Sequence, residues 1–366
     1  MRGNYALLTP SRPLLCLTLL LAWAGSHPLA AQPLPDPAAW MARANVPGLS
    51  LAVIREGHVV RVESLGVADA ETGAPVTTDT LFEAASLSKP VFATIVLAWA
   101  ARGDLDLDRP LAELLPYPRI AHDPRAAKLT ARLVLSHQTG LPNWGGEKLE
   151  FLFDPGVDFN YSGEGYVYLQ RVLEHLSGES LDALARREVF DPLGMRRSRF
   201  SWPEPGGADG RPALVARRHS AKGKPAPPPR STDPNAASSL LTTAEEYARF
   251  VIAWMDGELL PAAMMREALT PAVHMQGTET RRPKPPEVYR RIAWGLGWGL
   301  LLPQGIAWHW GDNGPAKAFV AFDPVRRNGI VYFANGDRGL AFGAELAEPV
   351  VGDVAVTFAW NGYDPL

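Results

Sequence analysis

The sequence predicts an α/β protein, with a sheet domain assembled from both ends of the chain and an all-α domain inserted between them. Three observations carry this. Strand-like apolar runs gather at 48–66 and return at 294–335, a long apolar helical run follows Ser86, and residues 111–195 show helical periodicity with little strand pattern. The expected division places 33–110 and 235–366 in the sheet domain and 111–234 in the insert. The last part of the insert, 201–234, is an irregular excursion rich in proline and glycine.

Residues 1–31 differ in kind from the rest. Arg2 and Arg12 precede the apolar run Leu14–Ala24, which is followed by small residues around Leu29-Ala30-Ala31, the pattern of a secretory signal peptide. The run is short for a membrane span, so a periplasmic or secreted protein with no membrane contact after cleavage is expected, with a retained anchor as the alternative. Cys16, the one cysteine, lies inside this segment, which leaves the mature chain without a disulfide, a thiol nucleophile or a cysteine metal site.

After it, Trp40–Ala44 reads as a short helix, and Gly48–Arg55, the turn Glu56-Gly57 and His58–Gly66 as a hairpin. Asp69–Asp79 is loop. A helix opens near Ser86, runs to about Arg102 and stops at Gly103; it is apolar nearly all round, which places it centrally. Further helices are expected at Leu129–His137 (capped by Thr130), Gly163–Leu176 and Leu181–Phe190. Another opens at the capping box Thr243–Glu246 and runs to about Trp254. Strands follow at Trp294–Leu301, Ile306–Trp310, Ala318–Phe322 and Gly329–Asn335, with a last helix over Leu340–Trp360.

The balance of 36 basic and 39 acidic residues, a formal charge of -3, offers no field for nucleic acid. The sequence contains neither a Gly-x-Ser-x-Gly elbow nor a His-Glu-x-x-His motif, which argues against an α/β-hydrolase or a zincin.

Chemistry points to three places. Ser86 and Lys89 fall one turn apart at the mouth of the buried helix, a nucleophile beside an amine; the competing reading is a capping serine with a snorkelling lysine. Tyr161 ends the turn Asp154–Asn160 just ahead of a helix, where a phenol near an ammonium is able to act as a base; it also fits a packed loop aromatic. The run His309-Trp310-Gly311-Asp312 reads as a strand edge along which an acyl group lies, with the amide after Gly311 facing an oxyanion. His137 reads as a structural turn residue rather than an acid or base. Arg217–Lys224 and Arg281–Lys284 read as solvated loop charges, with some affinity for anions if they rim the cleft.

Together with Leu135–Pro142, Phe190–Met195, Leu240–Ala244 and Gly295–Trp298, these features resemble the serine β-lactamase and penicillin-binding protein superfamily. The resemblance is to its class C β-lactamase, D-alanyl-D-alanine carboxypeptidase and β-lactamase-like esterase branch, over nearly the whole mature chain. It implies a β-lactamase/transpeptidase-like fold, an antiparallel sheet flanked by helices. It also implies Ser86 as acylated nucleophile, Lys89 in proton shuttling and charge balance, Tyr161 as the base in acylation and an aid to water in deacylation, and the amides of Ser86 and Asp312 as oxyanion hole. No cofactor or metal is implied, and a monomer acting on a small-molecule, peptide or ester substrate is expected.

Two departures bear on substrate. The family's Tyr-x-Asn is here Tyr161-Ser162-Gly163, which removes an amide, and its Lys-Thr-Gly is His309-Trp310-Gly311, which removes an amine and a hydroxyl that grip a carboxylate. An esterase, amidase or peptidase acting through a Ser86 acyl-enzyme is expected. A true β-lactamase or carboxypeptidase is the alternative, and a penicillin- or peptidoglycan-binding module without turnover is the alternative of another class.

Overall fold

A computed structural model describes residues 1, 36–203, 214–229, 232–275 and 284–366. The signal-peptide assignment, apart from Met1, lies outside the described residues, as do 281–283 of the basic run and parts of the 201–234 excursion. Among the described residues no helix is long and apolar enough to cross a membrane.

The strands are β1 (Gly48–Arg55), β2 (His58–Asp69), β3 (Ala74–Pro75), β4 (Phe82–Glu83), β5 (Leu241–Thr242), β6 (Val273–His274), β7 (Ile292–Trp294), β8 (Gly299–Leu301), β9 (Ile306–Asn313), β10 (Ala316–Asp323) and β11 (Asn328–Ala334). Nine of them form one antiparallel sheet in the order β3-β2-β1-β11-β10-β9-β8-β7-β6, and β4 pairs with β5 apart from it. The N-terminal hairpin thus joins the C-terminal meander at the centre, with Leu49 opposite Ala334 and Ile54 opposite Gly329. The described residues from Asp36 to Leu366 belong to one compact unit.

Side-chain alternation decides how the sheet is covered. Ala52, Ile54, Val320, Phe322, Val331 and Phe333 join one core, while Leu51, Val53, Phe319, Ala321, Ile330 and Tyr332 join the other. The helix Ala244–Asp256 packs on β1, β2 and β11, and the helix Gly343–Val351 packs on β1, β10 and β11. Both faces of β10 are therefore dry, and every one of its residues is buried.

The expected central helix is central: every residue from Ser88 to Trp99 is buried, and Gly103 (φ 82°) caps its end. Three expectations are corrected. Trp294–Leu301 is two strands, because Gly297 (φ 90°) turns the chain between β7 and β8. The last helix is two, Gly343–Val351 and Ala355–Asn361, separated where Gly352 adopts φ 94°. The capping box at Thr243 is half made: Thr243 Oγ1 accepts from Glu246 N at 3.2 Å, but the Glu246 carboxylate turns away to accept from the Ser198 amide and hydroxyl. Small shifts also occur. The first helix starts at Pro37 because Asp36 caps it, and β9 runs on to Asn313.

Trp254 shows what the core is worth. It is buried, its indole donates to Thr94 Oγ1 at 3.0 Å on the central helix, and it meets Trp298 edge-on at 5.6 Å. Trp254→Ala is expected to cost about 3–5 kcal/mol of unfolding free energy, read as a lower urea midpoint at constant m-value.

Candidate active site

Ser86 is held by a constrained turn. β4 pairs with β5, the chain then enters a 3-10 turn over Ala85–Leu87 with Ala85 in the left-handed region (φ 48°), and the helix starts at Ser88. Ser88 Oγ donates to Ala85 O at 2.6 Å and accepts from Leu240 N at 2.9 Å, which fixes the turn from behind. Ser86 alone in the stretch 81–95 is not fully buried, so the fold presents one hydroxyl and hides its neighbours.

One helical turn on, Lys89 is completely buried. Its Nζ lies 3.2 Å from Ser86 Oγ and donates to Ala237 O at 2.8 Å, and it sits 4.6 Å from the centre of the Tyr161 ring and 5.6 Å from that of Tyr166. Among the described residues no carboxylate pairs with it. Burial holds its pKa well below the ordinary lysine value.

Tyr161 completes the group. Its hydroxyl is buried and makes no well-formed hydrogen bond among the described residues, but it faces Ser86, and interaction with that hydroxyl is the one influence lowering its pKa. Burial outweighs it and raises the phenol above its ordinary value. This opposes the sequence expectation of an ionised phenolate beside a charged lysine: the dry surroundings favour a neutral phenol and a neutral amine.

β9 forms the second wall. The Ser86 turn packs against β9, and a Cβ on Gly311 would come within 2.4 Å of Ala84 O and 3.1 Å of Ala85 Cβ. Only glycine lets the strand approach the nucleophile's turn this closely. β8 pairs with β9 no further than Gly299 opposite Trp308, so among the described residues the edge of 309–313 away from β10 carries no strand partner. It is therefore an edge to which an extended acyl group can align.

His309 is buried on this strand. Its Nδ1 donates to Trp310 O at 2.8 Å, so Nε2 bears the lone pair, and burial together with Lys89 lowers its pKa to about 3. The Trp310 ring packs 4.8 Å from that of Tyr161. Asp312 is clamped from two sides: Oδ1 accepts from buried Lys317 at 2.7 Å and Oδ2 from Tyr363 Oη at 2.5 Å.

Gly163 opens the helix Gly163–Ser177, and a Cβ there would lie 2.8 Å from the Trp144 ring and 3.0 Å from Asn143 O. The space of the missing asparagine is thus occupied by Trp144. A neighbouring cavity of about 460 Å³ is lined by Trp144, Trp202, Arg218, Pro229, Ser238 and Asn313, among others. Arg218 does not meet it as a free cation, because its guanidinium forms a two-point ion pair with Glu83, only 6% exposed.

The structure therefore gathers Ser86, Lys89 and Tyr161 and sets His309, Trp310 and Gly311 on the strand beside them. Sequence reasoning missed the Ala237 carbonyl, which no side-chain pattern announces, the Glu83–Arg218 and Asp312–Tyr363 pairings, whose partners are far apart in the chain, and the Lys317–Asp312 pair, which forms across the β9–β10 hairpin.

A buried lysine touching a half-exposed serine at a helix mouth, with a tyrosine across from both, is an arrangement able to support acyl transfer through the serine. The Beta-lactamase family model matches residues 38–351, and the chain belongs to that family, within the serine β-lactamase and penicillin-binding protein superfamily. It is similar to Penicillin-binding protein 4 of Amycolatopsis lactamdurans, at 28% identity over 85% of this chain and 86% of that one. Esterase EstB of Burkholderia gladioli is 33% identical over 43% of this chain and 48% of that protein. The solved D-alanine carboxypeptidase AmpC from Burkholderia cenocepacia shares the fold, with a TM-score of 0.67, 22% identity and coverage of 82% of this chain and 91% of that one.

Gly311→Ala should push β9 off the Ser86 turn. Its kcat/KM on any substrate the wild type turns over is expected to fall about 100-fold, with the circular dichroism spectrum unchanged.

Proposed function

We propose that the protein is a serine hydrolase of uncharged esters, working through an acyl-enzyme on Ser86. The observation that carries this reading is the buried Lys89 amine, 3.2 Å from Ser86 Oγ and depressed in pKa. A neutral amine accepts the Ser86 proton as Oγ attacks the ester carbonyl, and the oxyanion forms toward the amides of Ser86 and Asp312. The Tyr161 phenol, protonated at rest, gives its proton to the leaving alkoxide and regains one from the Lys89 ammonium. Water then repeats the sequence in reverse to release the acid.

The choice of ester rests on what surrounds the nucleophile. His309 is neutral, Trp310 carries only an indole donor, and Arg218 is satisfied by Glu83, so among the described residues lining the cleft no unpaired cation stands ready for a substrate carboxylate. Trp144, Trp202 and Pro229 instead offer apolar walls. The resemblance of one part of the chain to an esterase agrees with this. A second reading, acylation by β-lactams or D-alanyl peptides, is favoured by the similarity of 85% of the chain to a penicillin-binding protein. Amide hydrolysis would use the same groups. The sequence of residues 1–31 supports action outside the cytoplasm.

The test combines a fluorophosphonate label with p-nitrophenyl esters, a chromogenic cephalosporin and a D-alanine dipeptide. Labelling of wild type but not Ser86→Ala, with ester turnover dominant, is expected; dominant cephalosporin or dipeptide turnover would replace the ester reading with the second.

The pH dependence follows from the sign of the Lys89 shift. The active form is the unprotonated amine, so kcat/KM should rise with pH along a single limb whose midpoint lies below 10.5, the ordinary lysine value. His309, with a pKa near 3, should add no limb at neutral pH. Because burial of an unpaired amine is costly, Lys89→Met should abolish ester turnover while raising stability by about 1 kcal/mol, measured by chemical denaturation.

A further inference from the structure

His137 stands outside the chemical steps above, yet the structure ties it to Tyr161 at three points. It is completely buried and holds a left-handed backbone conformation at φ 58°. Its carbonyl accepts from Asn160 N at 2.8 Å, its Nδ1 accepts from Ser162 N at 3.0 Å, and its ring lies 4.3 Å from the Tyr161 ring at 33°. The residues before and after the tyrosine are thus bonded to one residue, and the tyrosine's own ring rests on it.

We propose that His137 is a positioning residue for Tyr161: by accepting the Ser162 amide at Nδ1 while its carbonyl takes the Asn160 amide, it fixes the phenol against Ser86 and Lys89. The inference rests on the reading of Tyr161 as proton carrier. A buried amide without an acceptor is costly, so losing the Nδ1 acceptor would drive the 160–162 segment to seek another partner and carry Tyr161 with it. The neighbouring bonds do not substitute for it. Asn160 Nδ2 donates to Leu141 O at 2.7 Å and Ser162 Oγ to Pro142 O at 2.9 Å, and these hold side chains rather than the Ser162 amide. Nδ1 must be unprotonated to accept, which leaves the imidazole proton on Nε2, an atom without a hydrogen-bond partner among the described residues. His137 is therefore used here through its lone pair, with no proton transfer.

The requirement is an acceptor at the γ-branch position, in a backbone conformation with positive φ. Asparagine meets both conditions, since its Oδ1 stands where Nδ1 does and it is the side chain best tolerated there; leucine has the same branched shape and no acceptor. The experiment compares wild type, Ser86→Ala, His137→Leu and His137→Asn on the p-nitrophenyl ester turned over best, with thermal unfolding measured for each. The expected result is a fall of about 100-fold in kcat for His137→Leu with KM within about threefold, and recovery by His137→Asn to within about tenfold of wild type. Should His137→Leu not fold, His137→Gly, unstrained at this φ, takes its place. A folded Leu or Gly variant with wild-type kcat, or a folded Asn variant as slow as the one lacking the acceptor, overturns the proposal. Wild type no faster than Ser86→Ala would instead overturn the hydrolase reading on which it depends.

Discussion

The site depends on one unfavourable burial, that of the Lys89 amine. An ammonium in a dry setting with no carboxylate partner among the described residues is unstable, and burial shifts its proton equilibrium toward the amine. What the fold does supply is the Ala237 carbonyl at 2.8 Å and two tyrosine ring faces. These hold the amine in place without restoring its charge to full stability. The central helix, buried from Ser88 to Trp99, makes this tolerable, because its packing fixes the lysine stem whatever the state of the amine.

The same dryness sets the roles of the other groups. A phenol and an imidazole in that environment are both pushed toward neutrality, Tyr161 by a raised pKa and His309 by a lowered one. Lys89 adds to the effect of burial on His309, and Lys89 and His309 both add to it on His137. Burial thus works against fixed charge at the centre of the site. The fixed charges stand outside it in closed pairs: Glu83 with Arg218, Asp312 with Lys317, and Arg119 with Glu164 at the start of the tyrosine's helix.

How much of this was legible follows from the range of each signal. The nucleophile's helix was readable because its apolar run and its glycine stop are local, and the sheet's two-ended assembly because its alternating strands cluster at the two ends of the sequence. The breaks at Gly297 and Gly352 were missed because an apolar run across a positive-φ glycine looks continuous. Tyr161 was legible by its motif, but the direction in which burial moves its proton equilibrium was not. A sequence reveals that a lysine is near, and it does not reveal that burial acts on both partners at once. His137 looked like a turn residue and is one, with φ 58°, yet the use of that turn depends on the Ser162 amide 25 residues away.

The substitutions on β9 and at Gly163 form one change rather than three. A lysine in place of His309 would bring a second amine close to Lys89, and the structure instead places a neutral ring there, which relieves the electrostatic pressure on the buried amine. Trp310 then packs on Tyr161 at 4.8 Å, and Trp144 fills the space beside Gly163 that a longer side chain would need. Each step exchanges a polar contact for aromatic surface. A substrate carboxylate entering such a site would lose its hydration and meet no unpaired cation among the described residues that line it, a penalty of several kcal/mol in comparable buried settings, whereas an uncharged ester loses little. The selectivity we assign to this enzyme therefore arises as much from what the cleft declines to solvate as from what it binds.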